Sequence, residues 1–276
     1  MKNMIRLTDF SAAEIYDIFC MTDEIRQRKY AGDLKNKSVV LFFPASSIRT
    51  RVTFEKGIYL LGGHSVLFPG ETLDKKEELK DVCGYLNQWA DVIVARHKDI
   101  HVLERLAEYS HVPVINGMTD MNHPCEMIAD MYSLSKLRSG FVNDRFLFCG
   151  ASGNIGLAWK EAATVMGFDL SQCCEKGYEM ADVKVYHNIR EAVRGKDVVC
   201  TDSFSHYVPE NPENFQVTKE IMSLANQGAV LNPCPPFYRG EEVSADAIDS
   251  EYFVGYAFKK HLLEVQQAII LYCLNS

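Results

Sequence analysis

With 276 residues, of which 47% are hydrophobic and 24% charged, the chain is long enough to bury two cores. Its formal net charge of −8 argues against a general nucleic-acid-binding surface, which would need a basic face. No apolar run approaches the roughly 20 residues that span a bilayer, and residues 1–9 lack the apolar core of a secretory signal. We therefore expect a cytoplasmic protein without nucleic-acid or membrane partners.

The residues that could bind a metal are the nine cysteines and a pair of histidines. The cysteines lack the C-x-x-C spacing of a zinc or dithiol site, so we expect reduced thiols. His97 and His101 stand four residues apart, but no third ligand follows at zinc-like spacing, and we interpret both as solvated side chains. The sequence therefore predicts no metal site.

The first half of the chain alternates helical and strand-like segments. A capping box at Ser11 and Glu14 predicts a first helix, and the apolar run 38–43 predicts a strand buried on both faces. Similar strands are predicted at 62–68, 90–95 and 112–115, and helices at 52–61, 77–89, 102–108 and 126–137. Alternation of this kind builds a parallel α/β sheet.

After the polar stretch 138–143 a second alternation begins. Strands are predicted at 145–149, 198–201 and 229–231, and helices at 157–166, 189–193 and 260–274. We therefore predict an α/β fold with two domains, each with a central, mainly parallel sheet flanked by helices. The predicted domains are 1–137 and 138–258, followed by a C-terminal helix over 259–276 that returns to the first domain.

The segment with the most informative chemistry lies where the first predicted strand passes into a helix. Residues 46–55 read SSIRTRVTFE. Free backbone amides at a helix start, together with two hydroxyl groups and a guanidinium, suit a phosphate group. The alternative is a solvated N-cap, with Arg51 and Glu55 forming an ion pair four residues apart on the helix surface.

Segment 46–55 resembles the Ser-Thr-Arg-Thr-Arg-x-Ser-Phe-Glu motif of the aspartate and ornithine carbamoyltransferase family, departing from it at Ile48 and Thr53. Four further segments resemble family motifs in the same order along the chain. They are 75–81 (KKEELKD, the mobile lysine loop), 94–97 (VARH, the next arginine strand), 123–126 (HPCE, His-Pro-x-Gln) and 232–243 (NPCPPFYRGEEV, the His-Cys-Leu-Pro and Arg-Gly-Glu-Glu-Val run of the ornithine branch). The resemblance covers nearly the whole chain.

The resemblance implies an enzyme that transfers the carbamoyl group of carbamoyl phosphate to an amine nitrogen and releases phosphate, without a metal or organic cofactor. Residues 1–137 would bind carbamoyl phosphate, and 138–258 would bind the acceptor, an ornithine-like amino acid or another amino compound. A homotrimer, or a multiple of trimers, is also implied. The reaction itself requires a neutralised phosphate, a polarised carbonyl oxygen and a held NH2 group.

The resemblance assigns one set of residues to the phosphate of the donor. These residues are Ser47, Arg49, Thr50 and the backbone of Ile48. Lys76 would approach the same phosphate, with a neighbouring subunit as one source of this residue.

A second set would contact the carbamoyl group. Arg96 would bridge the phosphate and the carbonyl oxygen, and His123 would donate a hydrogen bond to that oxygen. The backbone carbonyls of Pro233 and Cys234 would accept from the NH2 group. The predicted catalytic residues are Arg49, Arg96, His123 and Glu126.

Three donor-site positions depart from the family. Glu126 replaces a Gln, so an ionised carboxylate could still accept from NH2 but could not donate. Lys259 replaces an Arg that helps to bind the phosphate, and Ile48 lacks the hydroxyl of a Thr. These departures keep open a second interpretation, a non-catalytic paralogue that binds carbamoyl phosphate or an amino acid.

The acceptor motifs depart further from the ornithine branch. Asp202 fits the family Asp and suits a cationic amine, although a strand-end turn former is the alternative. His206 and Tyr207 occupy the Ser-Met positions of a family Ser-Met-Gly run, and Leu157 stands where an Asn binds the amino acid. With Cys234, these residues form the predicted acceptor site.

A glycine-bearing turn offers a third interpretation. Residues 150–156 read GASGNIG after an apolar strand, which could indicate a dinucleotide site with Glu175 as ribose ligand. The spacing is G-x-x-G-x-x-G, however, and departs from the G-x-G-x-x-G of NAD(P)-dependent oxidoreductases. Carbamoyltransferases of the family also carry a glycine-bearing turn at this point.

Overall fold

The computed structural model describes residues 1–30, 32–204 and 207–276. These residues form two units, one comprising 1–136 with 259–276 and the other comprising 137–258. Each unit is built on a parallel β-sheet with helices around it, and the C-terminal helix belongs to the first unit. The predicted α/β fold class is confirmed.

The sheet of the first unit has the strand order β2-β1-β3-β4. Its strands are β1 (Ser38–Phe42), β2 (His64–Phe68), β3 (Val92–Arg96) and β4 (Val114–Met118). The central strands β1 and β3 are buried along most of their length, as their continuous apolar sequences predict. The strand β2 is present, but its predicted burial on both faces was wrong, because it lies at the edge of the sheet and is half exposed.

Helices cover the first sheet and complete the unit. They are α1 (Ala12–Arg26), α2 (Ile48–Leu60), α3 (Leu79–Leu86), α4 (Ile100–Tyr109), α5 (Pro124–Leu137) and α10 (Leu262–Asn275). Helix α10 packs against α1 and α2. The Gln267 side chain donates to the Gly57 carbonyl at 2.8 Å, and a Cβ atom at Gly57 would lie 3.0 Å from that side chain. Glycine at this position therefore permits the close approach of α10 to α2.

The sheet of the second unit has the strand order β7-β6-β5-β8-β9. Its strands are β5 (Arg145–Cys149), β6 (Asp169–Cys173), β7 (Lys184–Tyr186), β8 (Val198–Thr201) and β9 (Val230–Pro233). Its helices are α6 (Asn154–Met166), α7 (Ile189–Ala192), α8 (Lys219–Met222) and α9 (Ala245–Ile248). Apolar side chains from the sheet and from α7, α8 and α9 form its core.

Strands β6 and β7 were not predicted from the sequence. The centre of β6 carries Ser171 and Gln172, which interrupt the apolar run that indicates a buried strand. Both side chains are nevertheless buried and paired. Ser171 accepts from the ammonium of Lys196 at 2.7 Å, and the Gln172 amide donates to the Gly150 carbonyl at 2.9 Å.

All nine cysteines are free thiols. Burial raises the pKa of several of these thiols, including Cys173 and Cys174, each to about 12. Within the described ranges, no helix combines the length and the apolar character that crossing a membrane requires.

Replacing Ser11 with alanine is expected to lower the free energy of unfolding by about 1 kcal/mol. The predicted capping box is present, because the Ser11 hydroxyl accepts from the Glu14 amide and the Glu14 carboxylate accepts from the Ser11 amide. Urea unfolding measures the change. Ser223→Ala, an exposed hydroxyl that donates to a backbone carbonyl near the end of a short helix, is the control and should change stability less.

Candidate active site

The first cluster of predicted site residues forms where two neighbouring strands end. Strand β1 leads into the N-terminus of α2, and β3, which pairs with β1, ends at Arg96. Ser47 precedes α2 but makes no side-chain cap hydrogen bond, and it is only 2% exposed. Its hydroxyl instead accepts from the Arg96 guanidinium at 3.2 Å. The hydroxyl and the guanidinium are therefore fixed against each other.

The positively charged guanidinium groups of Arg49 and Arg96 repel each other near the start of α2. Burial and the positive charge of Arg49 lower the pKa of Arg96, and Asp120 offsets part of this effect. The first turn of α2 contains no acidic residue that would neutralise them. Arg51 pairs with Glu55 at 2.6 Å, the ion pair named in the alternative interpretation of this segment as a solvated N-cap, although Ser47 at the N-cap is itself buried. Like charges held near a helix N-terminus favour an anion between them.

The two residues that flank Arg49 differ in accessibility. Thr50 is buried, whereas Ile48 is exposed. The Ile48 amide, which was expected to be available to a phosphate, donates to the Ser46 carbonyl at 3.0 Å. Amides in the first turn of a helix have no partner within the helix, so the following amides of α2 remain suited to an anion.

His123 lies immediately before α5 and is buried. Its Nδ1 atom has no hydrogen-bond partner among the described residues. Burial lowers the pKa of His123 to about 4, with Arg96 and Lys259 acting in the same direction and Glu126 opposing them. The imidazole is therefore neutral near pH 7 and carries one N–H donor.

The Lys259 ammonium lies between two carboxylates of α5. Its Nζ atom is 2.7 Å from Glu126 Oε1 and 2.5 Å from Asp130 Oδ1. Burial alone would raise the pKa of Glu126, but Lys259, His123 and Arg49 outweigh it, so the pKa is lowered. Sequence analysis did not identify Asp130. Its position four residues after Glu126, on the same face of one helix, was the available signal.

Four predicted residues of the first unit therefore interact electrostatically with Glu126 or with one another. They are Arg49, Arg96, His123 and Lys259. Lys76 is exposed in the stretch between the 3-10 helix Gly70–Asp74 and α3, and none of these interactions involves it.

An open cavity of about 310 Å³ lies at the carboxyl ends of the strands of the first sheet. Arg96 contributes to its lining, together with residues 44, 70–71, 74, 97–98 and 118–120. His97 is buried, and its Nε2 atom lies 2.8 Å from Asp74 Oδ1. The interpretation of His97 as a solvated side chain was therefore wrong, whereas His101 is 76% exposed as expected.

The second unit positions the predicted acceptor residues near the carboxyl ends of its strands. Asp202 follows β8, and its carboxylate accepts from the Ser203 amide at 2.9 Å, as a turn former does. Tyr207 donates to Glu175 at 2.6 Å, and its ring lies against Tyr178 with a centroid distance of 3.7 Å. Leu157 is half-buried in the first turn of α6. The predicted acceptor residue His206 lies outside the described residues.

The end of β9 carries the last predicted residues. Pro233 is buried and Cys234 is half-buried, and the Cys234 amide donates to the Thr201 carbonyl at 3.0 Å. Glu242, which sequence analysis placed in a motif without a role, is also buried here. Burial raises its pKa, with contributions from neighbouring charges that include Asp202, and its Oε2 atom has no partner among the described residues.

The glycine-bearing turn does not support the dinucleotide interpretation. Glu175, the residue proposed to bind a ribose, accepts from the Tyr207 hydroxyl and from the Glu210 amide. Gly150 has φ of 155° and leads from β5 toward α6. The turn therefore serves to join this strand and helix.

Comparison with known proteins identifies the family. Residues 2–136 match the family described as aspartate/ornithine carbamoyltransferase, carbamoyl-P binding domain, and residues 143–273 match its Asp/Orn binding domain. The chain is 31% identical to an ornithine carbamoyltransferase of Syntrophotalea carbinolica over 98% of each chain. The fold is similar to that of solved ornithine carbamoyltransferases. The structure from Burkholderia thailandensis matches with a TM-score of 0.91 and 29% identity, and 99% of each chain is covered. The structure from Pyrococcus furiosus matches with a TM-score of 0.92 and 28% identity, and 100% of this chain and 97% of the other are covered. The chain therefore belongs to the aspartate/ornithine carbamoyltransferase family of transferases.

Proposed function

We propose that the protein transfers the carbamoyl group of carbamoyl phosphate to an amine of an ornithine-like amino acid or another amino compound. The observation that carries this proposal is that Arg96, which contacts Ser47 at the start of α2, interacts electrostatically both with Arg49 and with the buried His123. The group matches a substrate with a doubly charged phosphate and an uncharged carbonyl next to it. Family membership supports the same reaction.

The phosphate is proposed to bind at the start of α2. Arg49 and Arg96 supply positive charge, and the hydroxyls of Ser47 and Thr50 and the first-turn amides supply donors. The contact between Ser47 and Arg96 holds the guanidinium in place before the substrate arrives. Such preorganisation avoids an ordering cost on binding. Lys76 is proposed to reach the phosphate from its exposed segment.

The reaction forms one bond and breaks another at the carbonyl carbon. The neutral amine nitrogen attacks this carbon, the bond from carbon to the phosphate oxygen breaks, and the proton lost by the amine ends on the departing phosphate. Arg96 and the N–H of His123 stabilise the negative charge that develops on the carbonyl oxygen. A neutral His123 can donate one hydrogen bond here without adding another positive charge to the pocket.

The acceptor is proposed to bind at the second unit through Asp202, Tyr207, Leu157 and Cys234, with His206 nearby in sequence. Asp202 supplies the negative charge that suits an amine-bearing acceptor. Tyr207, fixed by Glu175, replaces a flexible methionine position with a hydrogen-bonded ring. The acceptor site therefore differs in chemistry from the ornithine motif, and a different amino compound fits the departures.

A screen of amines identifies the acceptor. Carbamoyl phosphate is supplied with ornithine, shorter and longer diamino acids, diamines and monoamines, and acceptor-dependent phosphate release is measured. We expect release with at least one compound that carries a second charged group. Carbamoyl phosphate binding in calorimetry without release for any acceptor would favour the non-catalytic paralogue.

Asp202→Asn is expected to raise the acceptor KM about tenfold, because one charge-assisted contact is weakened by roughly 1.4 kcal/mol. Asparagine keeps an oxygen that can accept from the Ser203 amide, so the turn is preserved. Steady-state kinetics with the best acceptor measure the effect. Asp182→Asn, an exposed carboxylate paired with Lys160, is the matched control. Equal KM values for Asp202→Asn and wild type would exclude Asp202 from the acceptor site.

We also propose a cytoplasmic homotrimer, or a multiple of trimers. Family resemblance supports this assembly, and so do large apolar side chains exposed on the first unit. They include Ile48, Val52, Tyr59, Tyr85 and Trp89. Sedimentation equilibrium determines the mass in solution.

A further inference from the structure

One half-buried ammonium is shared between two buried carboxylates in the first unit. Glu126 and Asp130 are 6% and 2% exposed, and both contact Lys259 Nζ. The carboxylates lie one turn apart on α5, whereas Lys259 comes from the 3-10 helix Tyr256–His261 that precedes α10. The ammonium therefore joins two separate elements of the chain.

Two buried carboxylates at this separation repel each other, and burial disfavours both charges. Without a cation, one of them would take up a proton. The charged and titratable groups that act on Glu126 are Lys259, His123 and Arg49, together with Asp130, which shares the ammonium. His123 is neutral near pH 7, and Lys259 is the cation that pairs with Glu126 and favours its ionised form.

This arrangement gives Lys259 a different task from that of the family arginine that it replaces. Two of its three N–H donors point to carboxylates of α5. An ammonium that is bound to these two carboxylates affects the substrate indirectly, through its ion pair with Glu126. The Glu126 carboxylate keeps a second oxygen for an N–H donor, whereas a protonated Glu126 would present an O–H group there.

We propose that Lys259, anchored by Asp130, is a positioning residue that keeps Glu126 ionised as the hydrogen-bond acceptor for the NH2 group of carbamoyl phosphate. The inference rests on the proposed function, since it concerns the same donor site. Glu126 thereby contributes to the selection of an NH2 group over a methyl group on the carbonyl carbon of an acyl phosphate. In an acyl phosphate that carries a methyl group in place of NH2, the buried Glu126 carboxylate meets a carbon atom and receives no hydrogen bond from it.

Binding of two donors tests this inference without any acceptor. Carbamoyl phosphate and acetyl phosphate carry the same phosphate and differ at NH2 or CH3, so the ratio of their Kd values isolates recognition of the NH2 group. Calorimetry from pH 6 to 9 is expected to give a preference for carbamoyl phosphate of about tenfold or more in the wild type, as for a hydrogen bond to a charged group. This window lies above the His123 pKa of about 4.

In Lys259→Gln the preference is expected to fall to less than threefold at pH 6 and to return as the pH rises. The sign follows from the loss of the cation, which raises the pKa of Glu126 and leaves it protonated at the acidic end. Lys259→Arg should keep the wild-type preference at every pH. Lys260→Gln, at the exposed neighbouring position, is the matched control and should also behave as wild type.

If Lys259→Gln does not fold, the double variant Asp130→Asn/Lys259→Gln gives the same comparison, because it removes the like-charge pair together with the ammonium. A preference for carbamoyl phosphate that is unchanged by loss of Lys259 at every pH overturns the inference, and so does failure of the wild type to distinguish the two donors. A wild type that shows the preference but transfers the group to no acceptor contradicts only the proposed function.

Discussion

Arg49→Ala is expected to weaken carbamoyl phosphate binding by about a hundredfold, since loss of a charged partner from a phosphate costs roughly 2–4 kcal/mol. The side chain is exposed in the first turn of α2, so its loss removes charge from the proposed donor site without opening a cavity in the core. Its positive charge reaches both Arg96 and Glu126. Calorimetry with carbamoyl phosphate measures the change in affinity.

Arg51→Ala is the matched control for this prediction. Arg51 lies on the same helix two residues later and pairs with Glu55 on the surface. Its removal is expected to cost well under 1 kcal/mol of stability and to leave donor affinity unchanged. If Arg49→Ala binds the donor as tightly as wild type, the phosphate does not bind at the start of α2.

The second large effect is expected from His123 under acidic conditions. Its pKa is about 4 in the folded protein, below the ordinary value of 6.5, because burial disfavours the imidazolium. The unfolded chain therefore binds the proton more readily between these two values. The contribution of neutral His123 to stability is present above about pH 6.5 and is lost as the pH falls toward 4, a change of about 3 kcal/mol.

Urea unfolding at pH 7 and at pH 4.5 measures this loss for the wild type and for His123→Gln. The variant lacks the titrating group, so its stability should fall less between the two pH values, by about 2–3 kcal/mol. The pKa of His261 is also lowered to about 4, and this residue contributes equally in both proteins. His101→Gln, at an exposed histidine, should follow the wild type. Parallel losses in wild type and His123→Gln would contradict the buried, neutral state of His123.

Local signals in the sequence were sufficient to predict much of the architecture. The capping box of α1 involves residues three positions apart, and the apolar runs of β1 and β3 report burial directly. Strand β6 escaped prediction because its buried polar residues find partners from distant segments. The Lys196 ammonium that pairs with Ser171 is 25 positions away. Polarity along the chain does not distinguish such a strand from a loop.

The same limit applies to the candidate site. The resemblance of several ordered motifs to those of the family was enough to select Arg49, Arg96 and His123 as candidates. The bond between Lys259 and Asp130 joins residues 129 positions apart, and no local pattern connects them. Sequence analysis accordingly treated Glu126 and Lys259 as two separate departures, whereas the structure shows them as one ion pair.

The membership of α10 in the first unit has a consequence for biosynthesis. This helix is synthesised after the whole second unit, yet it covers the faces of α1 and α2, which are synthesised before that unit. Until α10 has been synthesised, those apolar faces lack their cover and are exposed to chaperones and to aggregation. The second unit, which is continuous in sequence, faces no such delay. Nascent chains should therefore acquire protease resistance in the middle of the sequence before they acquire it at the beginning.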